Sequence, residues 1–296
     1  MISVSMVGIR GGGKTTALGL LHEGLTTYAV NDKKFQFEAA LGSAPYIYEI
    51  VRRLRRGDWP EGTPEGSREE VKLTLRYKKT FGWSEMELDS YDISGEELKA
   101  VMDELSEKSK SMQQIIADMR QRKTLAAVLN SDVFIFIVDS LVCDPGHSKE
   151  SEAKKADVDT FLGHLCLALQ TYKKGTRGSI KALALVFSKY DITELYLPLG
   201  QVEYYSQDIN QLPVDIGKEG QRQQSKRFED VLRTYLPTTY NNLRFTLKNV
   251  EPDNLQYFRS GITTVKDEQT TKATITLPLS FTASEYIRIA RWLSKI

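Results

Sequence analysis

The sequence predicts an α/β protein with a doubly wound, mostly parallel sheet and insertions. Three observations support this prediction. A short β-branched segment, residues 2–7, runs into a glycine-rich loop and then into an apolar helical pattern. Two continuous apolar runs, at 133–138 and 182–187, are typical of parallel strands that are covered on both faces. Helical periodicity separates the strand-like runs, so strand and helix alternate from residue 2 to residue 190.

The other elements follow from periodicity and from helix breakers. Helices are expected at 14–25, 45–56, 98–129 (with a break near 106–111), 151–172 and 284–293, and further strands at 71–78, 86–91 and 274–281. The segment 28–68 looks irregular apart from its one helix. Pro278 would place the last strand at a sheet edge, because proline cannot donate to a strand ladder.

The composition is that of an ordinary soluble protein. Hydrophobic residues make up 41% and charged residues 27%, and the formal net charge is +1. So small a charge gives no general attraction to nucleic acid, and none is expected as a partner. Cys143 and Cys166 fit no disulfide framework or zinc spacing, and no targeting or membrane-spanning segment can be recognised. These features predict a cytoplasmic location.

The glycine-rich loop matches the phosphate-binding pattern G-x-x-x-x-G-K-[ST] at every fixed position of residues 8–15. Glycines let the backbone curl with its N–H groups towards phosphates, and the start of the following helix adds its positive dipole end. Lys14 would place a charge at the outer phosphates, and the Thr15 hydroxyl would be a ligand of Mg²⁺. This loop makes the predicted sheet one of the P-loop NTPase type. The nucleotide-contacting residues predicted here are Gly8, Gly11, Gly12, Gly13, Lys14, Thr15 and Thr16.

A second motif, D-x-x-G at residues 92–95, follows the strand predicted at 86–91. Asp92 could hold Mg²⁺ through water, and the Gly95 N–H could approach a γ-phosphate where a side chain would clash. D-x-x-G is a common chance match, but this chain contains it only once, at a predicted strand end.

A third motif, S-K-x-D at residues 188–191, follows the apolar run 182–187. The Asp191 carboxylate can accept two hydrogen bonds from the N1–H and 2-amino groups of guanine, a donor pair that adenine lacks. Lys189 would lay its aliphatic stem along the base, with Ser188 beside it. The motif favours guanine nucleotides; the alternative, an ordinary polar loop, stays open.

The order of these three motifs resembles the Ras-like GTPase superfamily, and residues 6–18 resemble the phosphate loop of Arf-like small GTPases. The resemblance implies a GTP/GDP-binding switch whose Mg²⁺ is held by Thr15, Asp92 and a switch threonine. Thr63 is the best match for that threonine because it shortly precedes the second predicted strand; the alternative is a plain loop threonine.

The resemblance also extends to the end of the chain. Residues 281–284 are similar to the Ser-Ala loop that touches guanine, which adds Thr282 and Ala283 to the predicted site. Relative to a minimal small GTPase, residues 28–62 and 200–273 are interpreted as insertions into one domain that spans residues 1–296.

Three residues depart from the superfamily pattern, and the first is Ser188, which replaces the usual Asn or Thr. Glu96 stands where Ras and Arf proteins carry a water-orienting glutamine, and Arg10 stands where many small GTPases have glycine. The Glu96 carboxylate would repel the γ-phosphate, although it could act as an unconventional base. The Arg10 side chain would crowd the attacking water. We therefore expect slow hydrolysis, with Lys14, Gly95 and Glu96 as the residues at the reacting phosphate.

Several functions stay open at this point. The leading hypothesis is a GTP-binding molecular switch with an unidentified protein effector or regulator. The alternatives are a pseudo-GTPase scaffold that holds nucleotide without turnover, and a P-loop ATPase or kinase in which S-K-x-D is accidental. The arginine run at 52–56 is either a solvated helix end or a weak docking patch for acidic lipid or an acidic partner. Pairing of two copies to a homodimer would also fit a switch.

Overall fold

A computed structural model defines the structure of this chain. It describes residues 2–28, 35–60, 71–80, 82–91, 95–106, 110–143, 149–189, 217–248, 250, 252–262, 264–266, 273–275 and 283–296. Among these residues, no helix combines the length and the apolar character that crossing a membrane requires.

The described residues form one seven-stranded sheet with the strand order β2-β3-β4-β1-β5-β6-β7. Its strands are β1 Ile2–Val7, β2 Phe35–Ala39, β3 Val71–Lys79, β4 Gly82–Ser90, β5 Val133–Asp139, β6 Ala182–Ser188 and β7 Leu255–Arg259. β1 pairs in parallel with β4 and β5, and β6 pairs in parallel with β5 and β7, whereas β3 runs antiparallel to both β2 and β4. The predicted α/β fold with a mostly parallel sheet is confirmed.

Helices cover both faces of this sheet. They are α1 Lys14–Glu23, α2 Ala44–Arg56, α3 Gly95–Ser106, α4 Met112–Gln121, α5 Lys123–Asn130, α6 Lys149–Thr176, α7 Gly217–Tyr235, α8 Pro237–Thr246 and α9 Ala283–Leu293. α1, α2 and α9 pack on one face, and α3 to α8 pack on the other. Alternate residues of β5 join the two cores, Ile135 on the first face and Phe134 on the second. Burial on both faces explains why β5 is apolar throughout.

Helix α2 illustrates how sequence sets the local structure. Pro45 lies in its first turn, where its missing N–H and fixed φ cost nothing. Ile47, Ile50 and Leu54 recur at the spacing of one helical face and are all buried. Gly57 ends the helix at φ 84°, a left-handed conformation that favours glycine, and its N–H bonds back to the last turn.

The structure corrects the expectation that 28–68 contains only one regular element. Residues 35–39 form β2, which pairs with β3 at one edge of the sheet. Five residues with three apolar members make too short an alternation to recognise. Likewise, the helical rhythm of 98–129 belongs to three helices, because Ser111 caps the start of α4 and Arg122, in an extended conformation, separates α4 from α5.

A second correction concerns the end of the sheet. Ala273–Ile275 forms β9, which pairs with β8 Thr264–Lys266 in a separate two-stranded sheet. The edge strand of the main sheet is instead β7, inside the segment 200–273 that was interpreted as an insertion. The five residues of β7 lack the long apolar run that made β5 and β6 recognisable.

Candidate functional site

The glycine-rich loop joins the carboxyl end of β1 to the start of α1, as its sequence predicts. Gly11 and Gly13 have φ values of 71° and 95°, in the left-handed region that L side chains rarely adopt. A Cβ atom on Gly8 would lie 2.7 Å from the main-chain oxygen of Ile137, so close packing against β5 requires glycine there. These constraints explain three of the glycines of the loop.

The start of α1 is suited to an anion. No side chain caps the helix there, and its first turn contains no acidic residue. Thr15 and Thr16 lie in that turn and are half-buried. The orphan N–H groups of a helix start and its positive dipole end stabilise a negative charge.

Lys14 folds back over the loop. Its side chain is almost buried, and Nζ donates to the main-chain oxygens of Gly8 (2.6 Å) and Ile9 (3.0 Å). The ammonium group is therefore fixed above the loop, where its charge would meet the phosphates of a bound nucleotide.

The end of β6 packs directly on the phosphate loop. Ser188 Oγ donates to the main-chain oxygen of Gly12 at 2.5 Å, and Lys189 Nζ donates to that of Gly11 at 3.0 Å. Lys189 has a φ of 55°, unusual for a residue with a side chain, and this turns the chain sharply at the strand end. The structure thus brings two predicted site residues onto a loop more than 170 positions away in sequence.

Asp139 is a site residue that sequence reasoning missed. It ends β5, is fully buried, and its Oδ2 accepts hydrogen bonds from both Lys189 and Lys154 at 2.7 Å each. Burial alone would raise the pKa of Asp139, but the charges and hydrogen bonds of Lys189 and Lys154 outweigh it and hold the pKa below its ordinary value. The carboxylate therefore stays ionised and holds Lys189 against the loop. A signal was available, since an aspartate ends an otherwise apolar strand at the edge where α/β proteins bind ligands.

The remaining predicted residues fall into two groups. Gly95 begins α3, with Glu96 as the next residue of the helix, and Ala283 begins α9. Thr63, Asp92, Asp191 and Thr282 lie outside the described residues, so their roles stay predictions.

Ala283 is the first residue of α9, and residues 276–282 lie outside the described part of the chain, so the contact of Ala283 with guanine stays a prediction. The edge strand of the main sheet, β7, ends at Arg259, and Ser260 donates its N–H to the Phe187 oxygen at 2.8 Å. Ser260 therefore lies beside Ser188 at the carboxyl edge of the sheet.

The donor set fits a nucleotide with a hard cation better than a protein-only metal cage. Among the described residues, no three His, Cys, Asp or Glu side chains come close enough to hold a metal ion. Mg²⁺ does not need such a cage, because it keeps several waters and is shared between a few protein oxygens and phosphates. The hydroxyl of the half-buried Thr15, at the helix start, is an oxygen of the type that could serve in this way.

Comparison with known proteins found a family match over part of the chain. Residues 5–125 match the model of the Double-GTPase 1 family, which supports a GTP-binding domain of the P-loop GTPase type in this part of the chain. The match does not confirm that the phosphate loop resembles that of Arf-like small GTPases in particular. A structure of the signal recognition particle receptor SRb-GTP/SRX complex from Chaetomium thermophilum is similar at 12% identity, with a TM-score of 0.36, over 88% of this chain and 93% of that one. No curated protein matched the chain.

Proposed function

We propose that this chain is a GTP-binding molecular switch that holds Mg²⁺ with its nucleotide and hydrolyses GTP slowly. The observation that carries the proposal is the packing of Ser188 and Lys189 on the oxygens of Gly12 and Gly11. A polar loop that is unrelated to nucleotide binding is not expected to contact the phosphate loop through two adjacent side chains. Asp191 follows two residues later in the sequence, and it is the residue that would bind the base.

Lys14 and the loop backbone would bind the phosphates. The ammonium group and the helix start stabilise the charge that builds up on the oxygens as the γ-phosphate leaves, which is electrostatic rather than covalent catalysis. Thr15, together with Asp92 and Thr63, would supply the hydroxyl and carboxylate oxygens that Mg²⁺ prefers. Mg²⁺ would neutralise part of the negative charge on the phosphate oxygens.

The base would be recognised beyond Lys189. Asp191 would accept hydrogen bonds from the N1–H and 2-amino groups of guanine, each worth about 1.5 kcal/mol because the acceptor is charged. Two such bonds correspond to about a 100-fold preference over adenine. The backbone of 260–262 could also contact the guanine base, because Ser260 lies next to Ser188. The sequence proposes Thr282 and Ala283 for the same contact.

Hydrolysis would depend on the start of α3. Gly95 would donate its N–H to the γ-phosphate, and Glu96 would lie near the attacking water. α3 is then the element that binding and loss of the γ-phosphate would order and release, which is the basis of a switch that an effector protein could read. A cytoplasmic location suits such a switch.

A second candidate is a scaffold that holds nucleotide without turnover. Glu96 favours it, because a carboxylate in place of glutamine repels the γ-phosphate. Single-turnover hydrolysis of GTP separates the two: the switch turns over slowly, the scaffold not at all. Fast turnover of the isolated chain would contradict both.

The nucleotide specificity is tested by displacement of a fluorescent GDP analogue with GTP, GDP or ATP. We expect GTP and GDP to displace it about 100-fold better than ATP. Lys189→Ala should weaken guanine nucleotide binding. Lys155→Ala is the matched control, because Lys155 and Asp157 repeat the K-x-D pattern on α6, and it should have no effect. Equal competition by ATP would assign the chain to the ATP-dependent P-loop proteins instead.

A further inference from the structure

The end of β7 is tied to the first turn of α9 by two buried contacts. Ser260, which directly follows β7, shares a hydrogen bond between its Oγ and the hydroxyl of Tyr286. The N–H of Arg259 donates to Glu285 Oε2 at 3.2 Å. None of these four residues is more than 3% exposed. Helix α9 therefore fixes the position of this strand end.

A second set of contacts links the same strand end to the phosphate loop. Ser260 donates its N–H to the Phe187 oxygen at 2.8 Å. The next residue along β6, Ser188, donates its hydroxyl to the Gly12 oxygen at 2.5 Å. A short path of hydrogen bonds and main chain therefore connects the Tyr286 hydroxyl to the nucleotide site through Ser260 and Ser188.

The order of the strands indicates which part of a nucleotide would meet this edge. The phosphate loop follows β1, and β6 and β7 stand two and three positions away from β1 in the sheet. At about 4.8 Å per strand, their carboxyl ends lie roughly 10 and 14 Å from that of β1. The S-K-x-D motif begins at the end of β6, so a nucleotide whose phosphates are bound at the loop would place its base near the ends of β6 and β7.

We propose that Tyr286 is a positioning residue for the guanine base, an inference that rests on the proposed binding of guanine nucleotides. The Tyr286 hydroxyl holds Ser260 beside the end of β6, and the two strand ends form the surface on which the base lies. Tyr286 is buried and acts through Ser260 rather than by contact with the nucleotide. ADP is bound by the same phosphate contacts but not by specific contacts to its base, so the position of Ser260 affects GDP and not ADP.

Tyr286→Phe removes the hydroxyl and keeps the size of the side chain. The Kd for GDP, measured by displacement of a fluorescent GDP analogue, should rise about fivefold, the effect expected for the loss of one hydrogen bond. The Kd for ADP should stay the same. Ser260→Ala removes the other hydroxyl and should have the same effect. The double variant should bind GDP no more weakly than either single variant, because both substitutions break the same hydrogen bond.

Tyr172→Phe is the matched control. Tyr172 is 2% exposed, and its hydroxyl donates to Asn130 Oδ1 at 2.8 Å, near the amino end of β5 and away from the carboxyl edge. The control loses one hydrogen bond from a buried tyrosine, as Tyr286→Phe does. It should lower the melting temperature to a similar extent and leave the Kd values for GDP and ADP unchanged. A purely structural role of Tyr286 would make the two variants alike in all three measurements.

Two results would overturn the proposal while the proposed function stands. One is an unchanged Kd for GDP in Tyr286→Phe. The other is an equal rise in the Kd values for GDP and ADP, because the substitution would then act on the phosphate side. A double variant whose loss is the product of the two single losses would also contradict it. Failure of the proposed function gives a different result, since wild type itself would then show no preference for GDP over ADP, and this inference would fall with it.

Discussion

Replacing Asp139 by asparagine tests whether this buried carboxylate holds Lys189 against the phosphate loop. The substitution keeps the size of the side chain and one acceptor oxygen but removes the charge that Lys189 and Lys154 share. Without that charge, Lys189 is held only by the Gly11 oxygen. We expect both the free energy of unfolding and the affinity for guanine nucleotide to fall.

The magnitude follows from burial. Breaking a fully buried ion pair costs about 3–5 kcal/mol, whereas exposed pairs contribute about 0–1 kcal/mol. Here the anion is fully buried, but the side chains of Lys154 and Lys189 are 42% and 29% exposed and can turn to water. The loss in unfolding free energy should therefore be about 1–2 kcal/mol, between those limits. If all of it appears in binding, the Kd for GDP rises about 5- to 30-fold.

Urea denaturation and titration of a fluorescent GDP analogue measure the two effects. Lys154→Met is the control, because it removes one cation but leaves the contact between Asp139 and Lys189. It should lower stability by less than about 1 kcal/mol and leave the Kd unchanged. The reasoning is refuted if Asp139→Asn binds GDP as wild type does, or if Lys154→Met weakens binding equally.

Three further substitutions probe the stability of the fold. Gly8→Ala should destabilise by about 1–3 kcal/mol in urea denaturation, because its Cβ would clash with the Ile137 oxygen. Asp159→Ala should lower the free energy of unfolding by about 1–2 kcal/mol. Asp159 Oδ1 accepts a hydrogen bond from the N–H of Thr239 (2.7 Å) in the first turn of α8, and the substitution removes this acceptor. Burial lowers the pKa of His22, so the unfolded chain takes up the proton at a higher pH than the folded chain does. The free energy of unfolding of the wild type should therefore fall below about pH 6.5. His22→Phe should abolish this loss, because the side chain no longer titrates.

Each of these expectations has its own control or contradicting outcome. Gly42→Ala has open space around the added Cβ and should be neutral. Asp159→Asn keeps an acceptor oxygen and should recover part of the loss. For His22, the wild-type loss should be complete below the lowered pKa of the folded state; an unchanged pH profile in His22→Phe would show that another group is responsible.

Local sequence patterns predicted the parts of the fold that local physics determines. The apolar runs of β5 and β6 are recognisable because burial on both faces requires every residue to be apolar. The glycines of the phosphate loop are recognisable because positive φ angles and close packing exclude side chains. These two signals were enough to predict the α/β fold and the glycine-rich loop between β1 and α1.

Features that depend on distant partners could not be predicted. β2 and β7 each have five residues, and their pairing with β3 and β6 decides that they are strands. The contacts of Asp139 reach Lys154, 15 residues away, and Lys189, 50 residues away, so the chain alone does not show that one carboxylate holds both. The strand before 281–284 was misassigned for the same reason, because β9 pairs outside the main sheet.

The central claim, guanine recognition by Asp191, is tested most directly by Asp191→Asn with GDP, ADP and xanthosine diphosphate as competing ligands. An asparagine amide can donate to the 2-oxo group of xanthine but cannot replace both charged acceptor contacts to guanine. Asp157→Asn, in the decoy K-x-D pattern on α6, is the control and should keep the wild-type preference. The account predicts that Asp191→Asn loses its preference for GDP and gains affinity for xanthosine diphosphate. An Asp191→Asn variant that still prefers GDP over both other nucleotides would contradict it.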